Sequence, residues 1–330
     1  MAQQAYNLSC LRMLLVMVLM TKVLLVRVKA LLPVAKDNCQ NMCGGVLIPF
    51  PFGMGEGCFI NSWFEVECRY YLRADGYGPS WTPFLRTLNV EIHTISLEDR
   101  KVRVRSPIMT WNCGDTRNRS ETPINLDGSP FFYSQTANSL TMVGSCNTLV
   151  AMKDQDDKTI SWCTPDCDES SPPSGSYDDW YPSTNSCYGS GLDCCQAPLP
   201  PNLQQFNLGL GTTSINFNKT NCTLAFLVCE HYPIIFSRPD WTENLPMELD
   251  WELYNVTAAS LGIDGDSTVY CGMKTNTTHI NGSFFRNSSL QCFCRTGYGN
   301  PYLPYGCVGN IPMFFITCTE LSKVHIYFKF

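Results

Sequence analysis

Basic residues alternate with valines at residues 101–105, where the sequence reads Lys-Val-Arg-Val-Arg. On a β-strand, this alternation would place Lys101, Arg103 and Arg105 on one face and the two valines on the other, with same-face neighbours about 6.6–7 Å apart. Guanidinium groups bind carboxylates through paired hydrogen bonds, so such a row suits a ligand that carries carboxylates at regular intervals. The alternative is a solvated strand face, which is the usual role of exposed charged residues.

Arginine and aromatic residues around this stretch extend the candidate binding surface. Residues 69–119 contain nine Arg and Lys against five Asp and Glu, a local excess of four positive charges (9 − 5). Aromatic rings add planar apolar faces on which sugar rings can pack. The additional candidate ligand-binding residues are Arg69, Arg73, Arg86, Tyr71 and Trp81, and the same region contains Tyr70, Tyr77, Arg117 and Arg119. A polyanion would therefore be attracted to this part of the chain.

An enzymatic alternative comes from residues 248–252, which read Glu-Leu-Asp-Trp-Glu. On a strand the three carboxylates would share one face, and two carboxyl groups about 5–5.5 Å apart suit a retaining glycosidase. The four histidines, His93, His231, His279 and His325, show no metal-binding spacing, and the sequence has no Gly-x-Ser-x-Gly motif. We therefore predict a binding protein without catalytic residues, cofactor or metal, and keep a glycosidase as the remote alternative.

Nineteen cysteines indicate an oxidising compartment, because cytosolic thiols are kept reduced. Cys10 lies in the N-terminal targeting stretch, and its removal leaves 18 (19 − 1), an even number as a full set of disulfides requires. Spacing does not determine the pairing, and Cys318 lies in the C-terminal tail. The cysteines expected in disulfides are Cys39, Cys43, Cys58, Cys68, Cys113, Cys146, Cys163, Cys167, Cys187, Cys194, Cys195, Cys222, Cys229, Cys271, Cys292, Cys294 and Cys307. Zinc ligation is the less favoured alternative in a secreted chain.

The N-terminus and the Asn-x-Ser/Thr sequons also indicate secretion. Residues 13–20 form a short apolar run after Arg12, which is typical of a signal peptide, predicted here at residues 1–35. The predicted glycosylation sites are Asn118, Asn218, Asn221, Asn255, Asn276, Asn281 and Asn287. The net charge is −6, and losing the four cations of the signal peptide gives about −10 (−6 − 4). A negative chain of this kind is not expected to bind nucleic acid.

Short alternating runs, with no sustained helical periodicity, predict a mostly β fold of small disulfide-rich extracellular modules. Residues 168–185 are polar, acidic and rich in Pro and Ser, which is typical of a linker. The predicted organisation is a signal peptide at 1–35, a cysteine-rich domain at 36–150, a linker or pinned loop at 151–186, a second cysteine-rich domain at 187–307 and a divergent tail at 308–330.

Three ordered motifs in these units resemble a known family. The first reads Cys-Gln-Asn-Met-Cys-Gly-Gly at 39–45 and Ile-Pro-Phe-Pro-Phe-Gly at 48–53, and it is similar to the galacturonan-binding domain of plant wall-associated receptor kinases. The second, Cys-Cys-Gln at 194–196 with Leu-Asp-Trp at 249–251, resembles the C-terminal wall-associated-kinase region of the same proteins. The third, Cys-Phe-Cys-Arg-Thr-Gly-Tyr-Gly-Asn-Pro-Tyr-Leu at 292–303, resembles the start of an EGF-like module and is only partial here.

The resemblance implies a receptor-like ectodomain that binds an acidic cell-wall polysaccharide, pectin or its oligogalacturonide fragments. Because the candidate contacts are ion pairs between Arg or Lys and carboxylates, we expect binding to weaken steeply with salt. It also implies secretion to the cell wall or apoplast, whereas full-length family members are anchored in the plasma membrane. A receptor or peptide partner in the apoplast is the alternative. After Cys307 the sequence departs from the family, since it shows no calcium-binding module, no apolar stretch of spanning length and no kinase motif. We therefore expect the ectodomain without the transmembrane and kinase parts.

Overall fold

The computed structural model describes residues 34–72, 79–113, 120–144, 148–165, 193–212, 222–229, 245–280, 283–295 and 298–308. Regular structure in these ranges is β-strand, apart from two 3₁₀ turns at Ser62–Phe64 and Ala259–Leu261. The predicted mostly β, disulfide-rich fold is therefore confirmed. Residues 1–33, most of the predicted linker and the tail from residue 309 lie outside the described residues.

The strands are numbered in chain order. The first half of the chain contributes β1 (Met42–Cys43), β2 (Val46–Leu47), β3 (Val66–Leu72), β4 (Pro79–Leu85), β5 (Val90–Ser96), β6 (Lys101–Arg105), β7 (Ile108–Trp111), β8 (Phe131–Tyr133), β9 (Asn138–Gly144), β10 (Thr148–Lys153) and β11 (Thr159–Cys163). The second half contributes β12 (Asp193–Pro198), β13 (Asn207–Thr212), β14 (Thr223–Cys229), β15 (Pro246–Trp251), β16 (Leu253–Tyr254), β17 (Val269–Ile280), β18 (Ser283–Cys294), β19 (Tyr298–Gly299) and β20 (Cys307–Val308).

The largest sheet has six strands in the order β3-β4-β5-β6-β15-β8, and all of its pairings are antiparallel. A second sheet has the order β12-β9-β14-β7, and a third joins β11, β10 and β13. A three-stranded sheet, β16-β18-β17, extends into a long two-stranded ribbon. The two predicted cysteine-rich units therefore contribute strands to the same sheets, and residues 151–163 of the predicted linker lie largely in β10 and β11.

Aromatic residues from distant parts of the chain form the centre of the core. The ring centroids of Phe52 and Phe64 are 5.0 Å apart, and both rings meet Trp251 edge-on. Trp251 also contacts Tyr302, with centroids 5.7 Å apart. All four side chains are buried, so the end of β15 is fixed by packing on segments from both predicted units. Buried aromatic contacts of this kind contribute more than their area alone.

Six disulfides join described cysteines. They are Cys39–Cys58, Cys43–Cys68, Cys113–Cys222, Cys163–Cys195, Cys271–Cys292 and Cys294–Cys307. Cys194 is also disulfide-bonded. Cys113–Cys222 joins the first predicted cysteine-rich unit to the second, and Cys163–Cys195 joins the predicted linker to the second unit.

Cys229 differs from the expectation that it forms a disulfide, because it carries a buried free thiol. It ends β14 opposite Asn138, and every other cysteine in the described part of the chain is already in a disulfide. Burial raises the pKa of this thiol to about 11, and the nearby Glu248 carboxylate acts in the same direction. The thiolate is the reactive form of cysteine. Cys229 is therefore both largely inaccessible to solvent and weakly nucleophilic at neutral pH.

We expect Cys229 to resist alkylation in the folded protein. At pH 8, a pKa of about 11 leaves roughly one thiol in a thousand ionised. Labelling with iodoacetamide, followed by peptide mapping without reduction, should show Cys229 modified at least about 100-fold more slowly in the native state than in denaturant. Equal rates in the two states would show that the thiol is accessible.

Candidate functional site

The basic strand β6 presents its side chains as the alternation predicts. Val102 and Val104 are fully buried, Arg103 is exposed, and Lys101 and Arg105 are partly exposed. The valines fix the strand in the core, so the three cations share the outer face of the six-stranded sheet. The strand-level prediction made from residues 101–105 therefore agrees with the structure.

Strand β15 adds carboxylates to this face. It places Glu248 opposite Arg103 and Asp250 opposite Lys101. Glu248 Oε1 accepts hydrogen bonds from Arg103 Nη2 at 2.7 Å and from Arg103 Nε at 3.2 Å, a contact that raises the pKa of the guanidinium. Lys101 Nζ lies 3.1 Å from Asp250 Oδ1 and 3.7 Å from Glu248 Oε2. Each cation of these two pairs thus has a counter-ion within the protein.

The third cation, Arg105, forms an ion pair with Glu121. The row therefore combines three cations with three carboxylates, a net charge of zero (3 − 3). A polyanion approaching this face meets much less positive potential than an uncompensated row would give. We accordingly expect a smaller salt dependence than the sequence alone predicts.

A buried asparagine holds the acidic strand in this register. Asn138 Nδ2 donates to the Glu248 carbonyl at 2.7 Å, and the Glu248 N–H donates to Asn138 Oδ1 at 2.8 Å. The Asn138 side chain is almost completely buried. Paired hydrogen bonds from a buried amide leave no polar group unsatisfied at this point, so they fix where the Glu248 carboxylate emerges.

The three carboxylates considered for glycosidase chemistry do not form one open cluster. Glu248 and Asp250 pair with the cations of β6. Glu252 lies beyond the end of β15 and is buried, with Oε1 at 3.1 Å from Lys274 Nζ and Oε2 accepting from the Tyr254 hydroxyl at 2.5 Å. Glu252 therefore has partners separate from those that Glu248 and Asp250 share.

Two other predicted arginines lie away from this row. Arg69 Nη2 contacts Glu67 at 2.6 Å, and its guanidinium lies 4.5 Å from the Phe84 ring centroid. Arg86 Nη1 contacts Glu65 Oε1 at 2.5 Å, and this hydrogen bond raises the pKa of Arg86. Both arginines thus pair with carboxylates other than those that pair with the cations of β6.

Several predicted residues lie where the structure describes no side chain or no backbone. They are Arg73, the side chain of Tyr71, Cys146, Cys167, Cys187, Asn118, Asn218, Asn221 and Asn281. Asn276 and Asn287 are described only as members of β17 and β18, where they face each other across the ribbon. These residues remain predictions.

A surface groove lies between the β1–β2 hairpin and strands β4, β5 and β6 of the six-stranded sheet. Its volume is about 410 Å³, within the usual range for small-ligand sites. It brings together Arg103 from β6 and Trp81 from β4, two residues that the sequence named separately. Its lining residues are Gly44, Val46, Trp81, Thr82, Pro83, Glu91, Ile92, His93, Thr94, Arg103 and Pro246. In the described part of the chain, no group of three His, Cys, Asp or Glu could hold a metal ion.

An exposed aromatic pair stands at the edge of this groove. Tyr70 and Trp81 are cross-strand neighbours on β3 and β4, with ring centroids 5.2 Å apart. Their exposed fractions are 59% and 55%, which is unusual for rings that could pack in a core. Because strand residues alternate between faces, Tyr70 points away from the face of Arg69. Of the two rings, Trp81 lines the groove together with Arg103.

The groove wall depends on a close backbone approach at Gly44. Gly44 and Gly45 form the turn of the β1–β2 hairpin, with φ values of +56° and +85°. A β-carbon at Gly44 would lie 1.7 Å from the Trp81 carbonyl oxygen. Only glycine allows the hairpin to sit directly on β4 in this conformation. Gly44 was not among the residues predicted for the site, although two adjacent glycines between short strands are typical of a tight hairpin turn.

Part of the chain matches a known protein family. Residues 39–106 match the family described as wall-associated receptor kinase galacturonan-binding. In Arabidopsis thaliana, wall-associated receptor kinase-like 6 is 30% identical over 82% of this chain and 44% of its own length, and wall-associated receptor kinase-like 5 is 28% identical over 84% and 39%. Putative wall-associated receptor kinase-like 13 is 30% identical over 82% of this chain and 41% of its own length.

The chain spans about two fifths of the length of these relatives. No solved structure matches it. Within the described ranges, no helix is long and apolar enough to cross a membrane. The chain therefore matches the family described as wall-associated receptor kinase galacturonan-binding at residues 39–106 and is similar to wall-associated receptor kinase-like proteins over 82–84% of its length.

Proposed function

We propose that this chain is an extracellular receptor-like ectodomain that binds an acidic cell-wall polysaccharide, pectin or its oligogalacturonide fragments, in the groove beside Trp81 and Arg103. One observation carries the proposal. Every groove-lining residue except Pro246 falls within residues 39–106, the range that matches the galacturonan-binding family. The disulfides and the sequons support an extracellular location.

The groove has the two kinds of contact that a uronate ring needs. A galacturonate unit has an apolar C–H face and a carboxylate at its edge. Trp81 supplies an exposed ring for the first, and Arg103, whose side chain is 44% exposed, supplies a cation for the second. Aromatic rings and arginine are typical anchors of binding sites.

Arg103 can bind a ligand without leaving Glu248. A guanidinium has five N–H donors, and Glu248 receives hydrogen bonds from Nε and from one N–H of Nη2. Arg103 also contacts the side chain of Cys229, and the guanidinium still has donors beyond these contacts for a ligand carboxylate. Single contacts of this type are weak, but many of them along one polymer add up through effective concentration.

Two substitutions in the groove test this function. Arg103→Gln and Trp81→Ala should each weaken binding to de-esterified polygalacturonate by about tenfold or more, and tenfold is about 1.4 kcal/mol. For Arg103 the reason is that a hydrogen bond to a charged group is worth about 1.5–3 kcal/mol. For Trp81 the reason is the loss of an aromatic anchor of the binding site. Affinity should be measured by biolayer interferometry with the secreted, glycosylated chain. Arg86→Gln is the matched control, since Arg86 is 60% exposed and lies outside the groove.

The same experiment separates the alternatives. Binding that resists both substitutions would move the polysaccharide site away from the groove. A folded protein that is retained on no pectin, at low or high salt, would favour a protein or peptide partner in the apoplast. Release of reducing ends from cell-wall glucans, lost in Glu248→Gln, would support the glycosidase alternative.

A further inference from the structure

A second cavity lies on the described surface and shares no residue with the groove. Its volume is about 440 Å³. The 3₁₀ turn at Ser62–Phe64 contributes Trp63, the turn before β8 contributes Ser129, and the segment at the end of β16 contributes Tyr254 and Asn255. The proposed polysaccharide function does not use this cavity.

The side chains of this cavity suit a sugar ring. Trp63 is a partly exposed ring packed against the core. Its turn is fixed by Asn61, whose Oδ1 accepts a hydrogen bond from the Trp63 N–H at 3.0 Å. Glu252 is buried at the cavity wall and is held by the Tyr254 hydroxyl at 2.5 Å and by Lys274 at 3.1 Å. An apolar ring with a few fixed polar groups is the usual composition of a small-ligand site.

Asn255 on the cavity rim begins the sequon Asn-Val-Thr. It is exposed, directly follows β16 and has a φ of +57°, a left-handed conformation that asparagine tolerates. The rest of the sequon is ordered. Val256 is buried, and Thr257 exchanges hydrogen bonds with Ser260, with its N–H donating to Ser260 Oγ at 3.0 Å and its Oγ1 accepting from the Ser260 N–H at 3.1 Å.

We propose that Asn255 carries an N-linked glycan whose first sugar folds back into this cavity and packs on Trp63. In the modification, Asn255 Nδ2 bonds to C1 of the oligosaccharide, loses one proton and displaces the lipid-linked diphosphate that carried the sugar. The attached sugar then stays within reach of Tyr254 and Asn61 on the cavity wall. A tethered group binds at high effective concentration, so even weak contacts hold it there.

The ribbon of β17 and β18 provides a contrast. Asn276 and Asn287 begin sequons at directly opposed positions of these strands, and neither residue lines the cavity. Asn287 directly precedes Ser288, which lines the cavity, whereas Asn276 lies on the neighbouring strand and is the better contrast. We therefore expect a glycan at Asn255 to stabilise the fold and a glycan at Asn276 to leave stability unchanged.

Thermal unfolding of the secreted glycoprotein tests this directly. Asn255→Asp removes the sequon and keeps a residue that tolerates left-handed backbone. Its Tm should fall by about 2–4 °C, the shift expected for the loss of about one good contact in a chain of this size. Asn276→Asp should leave the Tm unchanged. An unoccupied Asn255 in glycopeptide mass spectrometry, or equal Tm values for the Asn255→Asp variant and the parent, would overturn the proposal.

Two further measurements keep the result specific to the cavity. Trimming all glycans to the first sugar with an endoglycosidase should leave the Tm of the parent unchanged. Complete removal of the glycans converts Asn255 to Asp. The fully deglycosylated parent should therefore have the same Tm as the fully deglycosylated Asn255→Asp variant. Trp63→Ala should lower the Tm by less in the Asn255→Asp background than in the parent, since contacting groups are not additive. Additive losses would show that the sugar does not touch Trp63 and would overturn the proposal.

Discussion

Gly44→Ala should lower the free energy of unfolding by about 3 kcal/mol or more and displace the β1–β2 hairpin from the groove. The left-handed conformation of residue 44 costs a non-glycine residue about 1–2 kcal/mol, and an overpacked contact adds about 1–3 kcal/mol. The added methyl would lie 1.7 Å from the Trp81 carbonyl oxygen, a backbone atom that cannot rotate aside. Urea unfolding of the disulfide-intact protein measures the loss.

Gly45→Ala is the matched control for this substitution. Gly45 also has a positive φ, +85°, but nothing lies within 4 Å of an added β-carbon. Only the backbone term of about 1–2 kcal/mol should remain. If the two variants lost the same stability, the contact with Trp81 would not be the reason for glycine at residue 44. Polygalacturonate affinity should fall in Gly44→Ala and stay near the parent value in Gly45→Ala.

Glu248→Gln should weaken the fold and strengthen polysaccharide binding. The Glu248 side chain is only 14% exposed and neutralises both Arg103 and Lys101. Losing its charge should cost about 1–3 kcal/mol of stability, because partly buried cations lose a charged partner. The same change leaves a net positive charge beside the groove, so affinity for polygalacturonate should rise by about tenfold, which is about 1.4 kcal/mol. Denaturant unfolding and biolayer interferometry read the two effects separately.

Asp250→Asn makes the same charge change at a more exposed position. The Asp250 side chain is 42% exposed, and Lys101 keeps Glu248 as a second partner. The stability loss should stay below about 1 kcal/mol, as for exposed ion pairs, and the gain in affinity should be smaller than that of Glu248→Gln. A matching or larger gain from Asp250→Asn would mean that the ligand binds closer to Lys101 than to Arg103.

The sequence predicted those features of the site that depend on local alternation. The spacing of residues 101–105 was sufficient to predict which side chains of β6 face outward, because side chains on a strand alternate with a period of two. It did not predict that Glu248 would lie opposite Arg103, since strand pairing across 145 residues leaves no trace in local spacing. The charge of the row therefore looked uncompensated in the sequence and is neutral in the structure.

The same limit applies to the disulfides and to the division of the chain. A run of cysteines predicts that disulfides form but not which residues join, and Cys229 shows that even membership cannot be deduced from a count. The Pro/Ser-rich stretch at 168–185 is a sound indicator of a boundary in local composition. Strands that precede it nevertheless pair with strands that follow it, as β9 does with β12 and β14.

The pairing of β6 with β15 determines what a minimal binding fragment of this protein would look like. The family match ends at residue 106, so a recombinant piece cut there would seem a natural probe for pectin. Such a piece would expose β6 as an open sheet edge, which favours association between copies. It would also present Lys101 and Arg103 without Glu248 and Asp250 and would adsorb polyanions through charges that the intact chain neutralises. A faithful probe must extend at least through Trp251, where β15 ends.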